Sequence, residues 1–433
     1  MDYQLIINIS DIVSSALFFV ALGISWYYII ALFLAFRKQK KAPHSDKKTK
    51  FAVIIPARNE SRVIRKNLES LKKQTYDKNF YDVWVIIETK DDPTYLICKK
   101  MGVNCFIRPE IGERRTKGFA IQDLHNYFME NDIQYDAYMI FDADNIVSSR
   151  YLELMNDLRQ TGVQIGLGYR NYTNASQNWL TCTTAVFFTY MMSFTANMRS
   201  RAFRKTTLCG TGYYVDVQVI KDAGGWRFTG MTEDMQLTAY SYYHDVKCRY
   251  YPIMDFYDEM ASSLKQAHRQ MVRWIWGFFS IGRKALKEPK EVNYHTLHKR
   301  RFWCMFEYNV SFIPFVSVMA TIALLFLANI GICIHSLFFA PEYSGQFFGF
   351  AMIMFAIFYG ASAFIALIVI ICDRKKLKFN FATTCWAVLT YAFFWIELVI
   401  ALFDGLFHPK KRTTWRETKH TGEITNKKLK GKK

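Results

Sequence analysis

Asp142-Ala143-Asp144 closes the apolar run Ala137-Tyr138-Met139-Ile140-Phe141. Two carboxylates at i and i+2 point the same way from an extended strand end. So placed, they can hold one hard divalent cation through oxygen. A D-x-D alone is a weak signal, because short acidic pairs arise often by chance. Here two further groups follow in order. Thr232-Glu233-Asp234 stands at the head of a helical run over Glu233–Tyr243, where Thr232 also reads as an N-cap, and Gln270-Met271-Val272-Arg273-Trp274 comes later.

Groups so far apart in the chain need a scaffold. Phe51–Pro56 (FAVIIP) reads as a buried strand ended by proline, followed by the loop Ala57-Arg58-Asn59-Glu60 and helical spacing over residues 61–74. Residues 83–88 (VWVIIE) read as a second strand ending in polar residues, Asn104–Ile107 as a third, residues 116–131 as a helix and residues 137–141 as a fourth strand. This β-α-β-α alternation predicts an α/β domain with a parallel sheet and helices on both faces. Ligands of such sheets bind beyond the carboxyl ends of the strands. Arg58, Asn59, Glu60, Glu88, Asp91, Asp92, Asp142 and Asp144 all sit at those ends.

The rest of the 433 residues is of a different kind. Residues 12–36 carry no charge, residues 305–407 are mostly apolar and residues 409–433 are strongly basic. About 20 apolar residues span a bilayer. Residues 12–36, 308–334 and 346–372 fit that length, and 381–407 is long enough but carries Glu397 and Asp404. The first stretch lacks a basic leading region and a small-residue cleavage site, so it reads as an anchor. The net charge of +19 is concentrated at 37–50, 283–290, 299–301, 374–378 and 410–433, next to apolar stretches. That is the positive-inside pattern, with attraction to anionic lipid added, and it argues against nucleic acid as a partner. Nine scattered cysteines without a CxxC pair speak against a metal cage or a disulfide framework, and fit a reducing compartment.

The same charges predict an outside amino terminus and a cytoplasmic central domain. Three further spans would leave the tail outside, yet the tail holds ten Lys or Arg against two Glu, and the loop at 374–378 is basic as well. Both flanks of 381–407 belong in the cytoplasm by this rule. The stretch is therefore expected to lie as an interfacial or re-entrant element, because a carboxylate facing lipid is costly. Residues 180–198 look like a span too. A span there would put Asp142 and Asp144 on the opposite side of the membrane from Asp234, so a helix buried in the domain or lying on the bilayer is expected.

In sequence the ordered motifs resemble family 2 membrane glycosyltransferases, among them the cellulose, hyaluronan and poly-N-acetylglucosamine synthases and the ceramide glucosyltransferases. The resemblance covers roughly residues 50–280. It rests on I-P-A-R-N-E, Lys117-Gly118, D-A-D, C-G-T-G at 209–212, T-E-D and Q-x-x-R-W. It implies a GT-A-like nucleotide-sugar-binding domain with a mixed, mostly parallel sheet. It implies the following organisation: an anchor at 1–36, a basic linker at 37–50, a cytoplasmic catalytic domain at 51–264, interfacial helices at 265–304, a transmembrane or re-entrant region at 305–407 and a basic cytoplasmic tail at 408–433. The location implied is the cell membrane, multi-pass.

The resemblance also implies roles. A nucleotide-diphosphate sugar is the donor. Asp142 contacts the nucleoside or supports the metal, and Asp144 coordinates Mg2+ or Mn2+, which neutralises the leaving diphosphate as a Lewis acid. Asp234, with Glu233 beside it, is the catalytic pair, Asp234 acting as the base of an inverting transfer. Arg273 pairs with the diphosphate through its planar fork, Trp274 faces the acceptor sugar and Gln270 fixes that geometry. Arg273 and Trp274 also suit an interfacial helix at lipid headgroups, and the two roles are compatible. Cys209, Gly210 and Thr211 lie beside the acceptor, glycine allowing close approach, with a buried turn as the alternative. Lys117 approaches the nucleotide, with a surface lysine as the alternative. Ala57, Asn59 and Glu60 complete the substrate-binding set. Glu88 replaces the aspartate that many members carry after the second strand, and is favoured over Asp91 and Asp92 for the base. Asp258-Glu259 receives no role, and residues 414–418 resemble a gating element.

Two acceptors follow from the same motifs. One is a growing β-linked polysaccharide made from a UDP-sugar, for which the small number of spans calls for an accessory membrane subunit. The other is a membrane lipid that receives one or a few sugars. A catalytically dead scaffold is disfavoured because all the expected acids are present.

Overall fold

In the computed structural model, residues 3–13, 15–16, 19, 33, 40–109, 111–285, 322 and 324–409 are described. The stretches expected to span at 12–36 and 308–334, and the gating segment at 414–418, lie wholly or mostly outside them.

Eight strands form one sheet: β1 Phe51–Pro56, β2 Tyr81–Ile87, β3 Asn104–Ile107, β4 Ala137–Ile140, β5 Ile146–Val147, β6 Ile165–Tyr172, β7 Tyr213–Asp216 and β8 Cys248–Asp258. Their order is β3-β2-β1-β4-β7-β6-β8-β5. The first four run parallel to one another, and β6 is parallel to β8. The short β7 is antiparallel to both β4 and β6, and β5 is antiparallel to β8. The sheet is thus mixed and mostly parallel, as expected. β1 is a continuous apolar run because both of its faces are covered. Val53 and Ile55 pack with Leu68 and Leu71 on one face, while Ala52 and Ile54 pack with Ile121 and Leu124 on the other.

Three helices bring the parallel half together. Ile64–Lys72 follows the β1 loop, and Pro93–Met101 starts at Asp92, whose side chain accepts from Thr94 N–H. Lys117–Glu130 starts at Thr116, whose hydroxyl accepts from Phe119 N–H and donates to the Thr229 carbonyl. Gly118 is required there, since an added Cβ would stand 2.2 Å from the Phe228 carbonyl oxygen.

Residues 180–198 are buried in the domain, as expected, but not as one α-helix. Trp179–Thr189 is α-helical, Tyr190–Ala196 is π-helical and Asn197–Phe203 resumes the α-helix. The Q-x-x-R-W motif lies on the helix Leu264–Ala285. Two helices, Pro341–Cys372 and Phe381–Phe407, are long and apolar enough to cross a membrane. Phe381–Phe407 is unbroken, so it does not form the bent shape of a re-entrant hairpin. Its Glu397 and Asp404 both face His268 of the Q-x-x-R-W helix, at 2.5 and 3.0 Å. Trp276 of that same helix donates to the Leu402 carbonyl at 3.2 Å and fills the space beside Gly405. The link between the two apolar helices is tied to the sheet, with Tyr169 donating to Asp373 and Lys376 paired with Asp255, and to the π-helical turn, with Ser193 donating to Asp373.

Candidate active site

A cleft of about 430 Å³ opens beyond the carboxyl ends of β1, β2 and β4. Asp142 and Asp144 leave β4 into it, with Ala57 and Glu60 from the β1 loop and Glu88 from the end of β2. Lys117 enters from the first turn of its helix, Glu233 and Asp234 from the first turn of Glu233–Tyr243, and Gln270, Arg273 and Trp274 from Leu264–Ala285. Cys209 and Gly210 come from the turn before β7. Gly210 has φ +82, a left-handed backbone that glycine adopts without strain.

Thirteen of the fifteen residues expected at a site therefore line one cleft; Asn59 and Thr211 do not. Asn59 has φ +58 and donates its backbone N–H to Asp92 at 2.8 Å, shaping the loop. Thr211 is buried, accepts from the Asp142 backbone N–H at 2.9 Å and donates to Asn145 Oδ1. Thr232 is the residue before its helix, but its side chain makes no capping bond. It meets the Q-x-x-R-W helix instead, where a Cβ on Gly277 would lie 2.3 Å from its methyl group. Among the three acids after β2, Glu88 lines the cleft beside Arg58 at 3.1 Å, Asp92 is spent on its cap, and Asp91 is exposed outside the cleft.

One lysine organises the acids. Lys117 Nζ lies 2.6 Å from Asp142 Oδ1, 2.5 Å from the Gly210 carbonyl and 3.6 Å from Glu233. Burial alone would lower its pKa; Asp142 and Glu233 outweigh that and push it up to about 12. Glu233 shifts upward too, but for a different reason. Burial raises it to about 8, against the pull of Lys117 and with the neighbouring Asp234 adding to the rise. Burial raises Asp234 as well, but bonds from the Met235 and Gly210 backbones oppose the shift. Like charges side by side do not both ionise readily. Burial thus favours the protonated form at both acids, and Lys117 opposes it at both. Burial lowers the Arg273 pKa, with Glu233 opposing.

A second network supports the D-A-D corner. Asn145 Nδ2 donates to Asp144 Oδ1 at 3.2 Å and to Asp258 Oδ1 at 3.0 Å. Arg170, a half-buried cation on β6, donates to Asp258 at 2.7 Å and covers the Phe188 ring at 4.4 Å. Burial would lower the pKa of Arg170; Asp258 raises it above the usual value. Arg170 and Asn145 were not singled out in the sequence. A charged residue inside the apolar strand IGLGYRNY and an Asn directly after D-A-D are the signals that could have found them.

Two carboxylates at a strand end, their orientation set by neighbouring amide and ammonium groups, offer oxygen ligands of the kind Mg2+ or Mn2+ takes. A second trio of ligand-type side chains, His44, Glu153 and Asp157, lies outside this cleft. Its Glu153 is already bonded to Arg150 at 2.7 Å and to Thr75 at 2.9 Å.

A mostly parallel sheet with its acidic cleft at the strand ends is a GT-A-like fold. The family model described as "Glycosyltransferase like family 2" matches residues 48–277, and the chain belongs to that family; it is a family 2 glycosyltransferase. It is 25% identical over 427 residues to the "Probable glycosyltransferase YdaM" of Bacillus subtilis, covering 93% of this chain and 97% of that protein. It is 23% identical over 233 residues to the beta-monoglucosyldiacylglycerol synthase of Trichormus variabilis, covering 52% of this chain and 48% of that one. It is 22% identical over 264 residues to glucomannan 4-beta-mannosyltransferase 1 of Cyamopsis tetragonoloba, covering 58% and 49%. The chain spans about half the length of these last two. The fold is shared with a mannosyltransferase from Pyrobaculum calidifontis solved with GDP-mannose and Mn2+, at 14% identity and TM-score 0.53 over 92% of this chain and 98% of that one.

Proposed function

We propose that the protein transfers a sugar with inversion from a nucleotide-diphosphate sugar, a UDP-sugar in the first reading, onto a growing β-linked polysaccharide at the cytoplasmic face of the cell membrane. The observation that carries the transfer is the convergence of Asp142, Asp144, Lys117, Glu233, Asp234 and Arg273 on one cleft from four separate segments. Asp234 takes the proton of the acceptor hydroxyl as its oxygen attacks the anomeric carbon. The bond from that carbon to the diphosphate oxygen breaks, and the nucleoside diphosphate leaves against Arg273. Glu233, protonated, stays a hydrogen-bond donor. Asp144, with Asp142 beside it, would hold Mg2+ or Mn2+, which when bound neutralises charge on the leaving diphosphate. Glu88, paired with Arg58, would contact the nucleoside, and Lys117, on Asp142, would approach the nucleotide.

The membrane location is supported by the two long apolar helices and by the basic clusters beside the apolar stretches. A lipid acceptor is the second reading. It is favoured by the apolar wall of the cleft formed by Phe187, Trp395 and Leu398, and by the relative named for a glucosyldiacylglycerol. Membranes containing the full chain, incubated with labelled UDP-sugars and GDP-sugars, separate these outcomes. A long water-soluble product is expected. An organic-extractable product would favour the lipid reading, and incorporation from no nucleotide sugar would end both.

A further inference from the structure

Gln270, Arg273 and Trp274 line the cleft from the helix Leu264–Ala285. Ala267, Met271 and Ile275 of that helix share one apolar cluster with Leu398 and Ala401 of Phe381–Phe407. Apolar stripes match volume to volume but specify axial register weakly. A polar group set among them is what fixes it.

Two polar contacts bracket the motif. At one end the His268 ring stands between two carboxylates, with Nδ1 2.5 Å from Glu397 and Nε2 3.0 Å from Asp404. All three side chains are largely shielded from solvent. At the other end Trp276 donates to the Leu402 carbonyl at 3.2 Å, in space that a Cβ on Gly405 would fill. His268 and Trp276 lie eight residues apart, about 12 Å along the helix, and Gln270, Arg273 and Trp274 all fall between them. Both ring nitrogens of His268 face acids, an arrangement that suits the doubly protonated ring, which donates from both. Glu397 and Asp404 are seven residues, two turns, apart on one face of their helix. A slip of one residue, about 1.5 Å, pulls the ring away from one of them. Carboxylates in an apolar helix are costly and mark function.

We propose that His268, Glu397 and Asp404 are positioning residues for the transfer. They hold the Q-x-x-R-W helix at the one register in which Arg273 reaches the diphosphate. The inference rests on the glycosyl-transfer reading, in which the nucleoside diphosphate leaves against Arg273. It makes the last apolar helix a determinant of donor binding through a contact outside the cleft.

The test measures UDP and UMP binding to the full-length protein in detergent micelles, with GDP and GMP in parallel. The two nucleotides of each pair differ by the phosphate that Arg273 would meet. His268→Gln is expected to weaken nucleoside diphosphate binding about tenfold and to leave the monophosphate within about twofold. Glu397→Gln should do the same, and the double variant should be no worse than either single one, since the pair acts as a unit. His268→Lys, which restores a cation, should recover most of the loss. Unchanged diphosphate binding in His268→Gln, or an equal loss for both nucleotides, overturns the proposal. Should His268→Gln fail to fold, Glu397→Gln and His268→Lys decide by the same readout. A wild-type protein that binds none of the four nucleotides would instead remove the glycosyl-transfer reading beneath it.

Discussion

The two ends of the cleft are built from different material. At the polar end, Asp142, Asp144 and Glu88 stand on loops at the ends of parallel strands, each within four residues of a ladder that fixes its backbone. Their side chains are then held by specific partners: Lys117 on Asp142, Asn145 on Asp144 and Arg58 on Glu88. At the apolar end, no strand carries Trp274, Phe188 or Trp395. Three helices carry them, and the packing of those helices against one another sets their positions. Charge needs local bonds to be held, because an unpaired buried charge is expensive. A shaped apolar surface needs only volume matched to volume. Changes at the polar end should therefore alter chemistry and leave the fold, whereas changes at the apolar end should alter acceptor use.

The comparison breaks if the first substitution fails. Asp234→Asn is predicted to lower kcat about a thousandfold while the protein still binds nucleotide sugar and melts at the same temperature; retained turnover in a labelled-sugar assay would remove Asp234 as the base. Asp144→Asn should weaken Mn2+-dependent donor binding about a hundredfold, read by titrating Mn2+ against nucleotide-sugar binding. Glu88→Gln should weaken nucleotide binding about tenfold, whereas Asp91→Asn, outside the cleft, should leave it within about twofold; equal effects would merge the two acids.

The smallest effect is on stability, and its sign follows from Glu233. Its folded-state pKa of about 8 lies above the ordinary 4.5. The folded chain therefore holds this proton more tightly than the unfolded chain does. The contribution to stability is complete below about pH 4.5 and is lost as pH rises through about 8. Glu233→Gln mimics the protonated form. It should melt with the wild type at pH 4.5 and a few degrees above it at pH 9; a constant offset at both pH values would show that the group does not titrate on folding.

Much of the polar end was legible in the sequence. Phe51–Pro56 and Asn104–Ile107 fall where the apolar runs and their punctuation put them. The expected ends of one helix, Thr116 and Asn131, are its two caps, and Glu233–Tyr243 has the predicted bounds. These are local signals, set by periodicity, capping and proline. Less local features were not readable. The π-helical turn Tyr190–Ala196 departs from an apolar pattern that reads as one continuous helix. Glu397 and Asp404 read as reasons for an interfacial or re-entrant element; in the fold an unbroken helix places both against His268, 129 and 136 residues away in sequence.

The chain by itself determined the chemistry on offer: a D-A-D pair after a strand, an Asp at a helix start and an Arg-Trp pair on an amphipathic helix, each recognisable within a few residues. Tertiary structure alone decided that Glu233 and Asp234 are both held above the ordinary carboxylate range, since burial sets that shift against Lys117 and, at Asp234, the backbone of Gly210. It alone also decided that helix Phe381–Phe407 closes the cleft. That role depends on Thr183 meeting Thr390 and Trp276 meeting Leu402. Such contacts arise only when distant segments pack, and no local pattern encodes them.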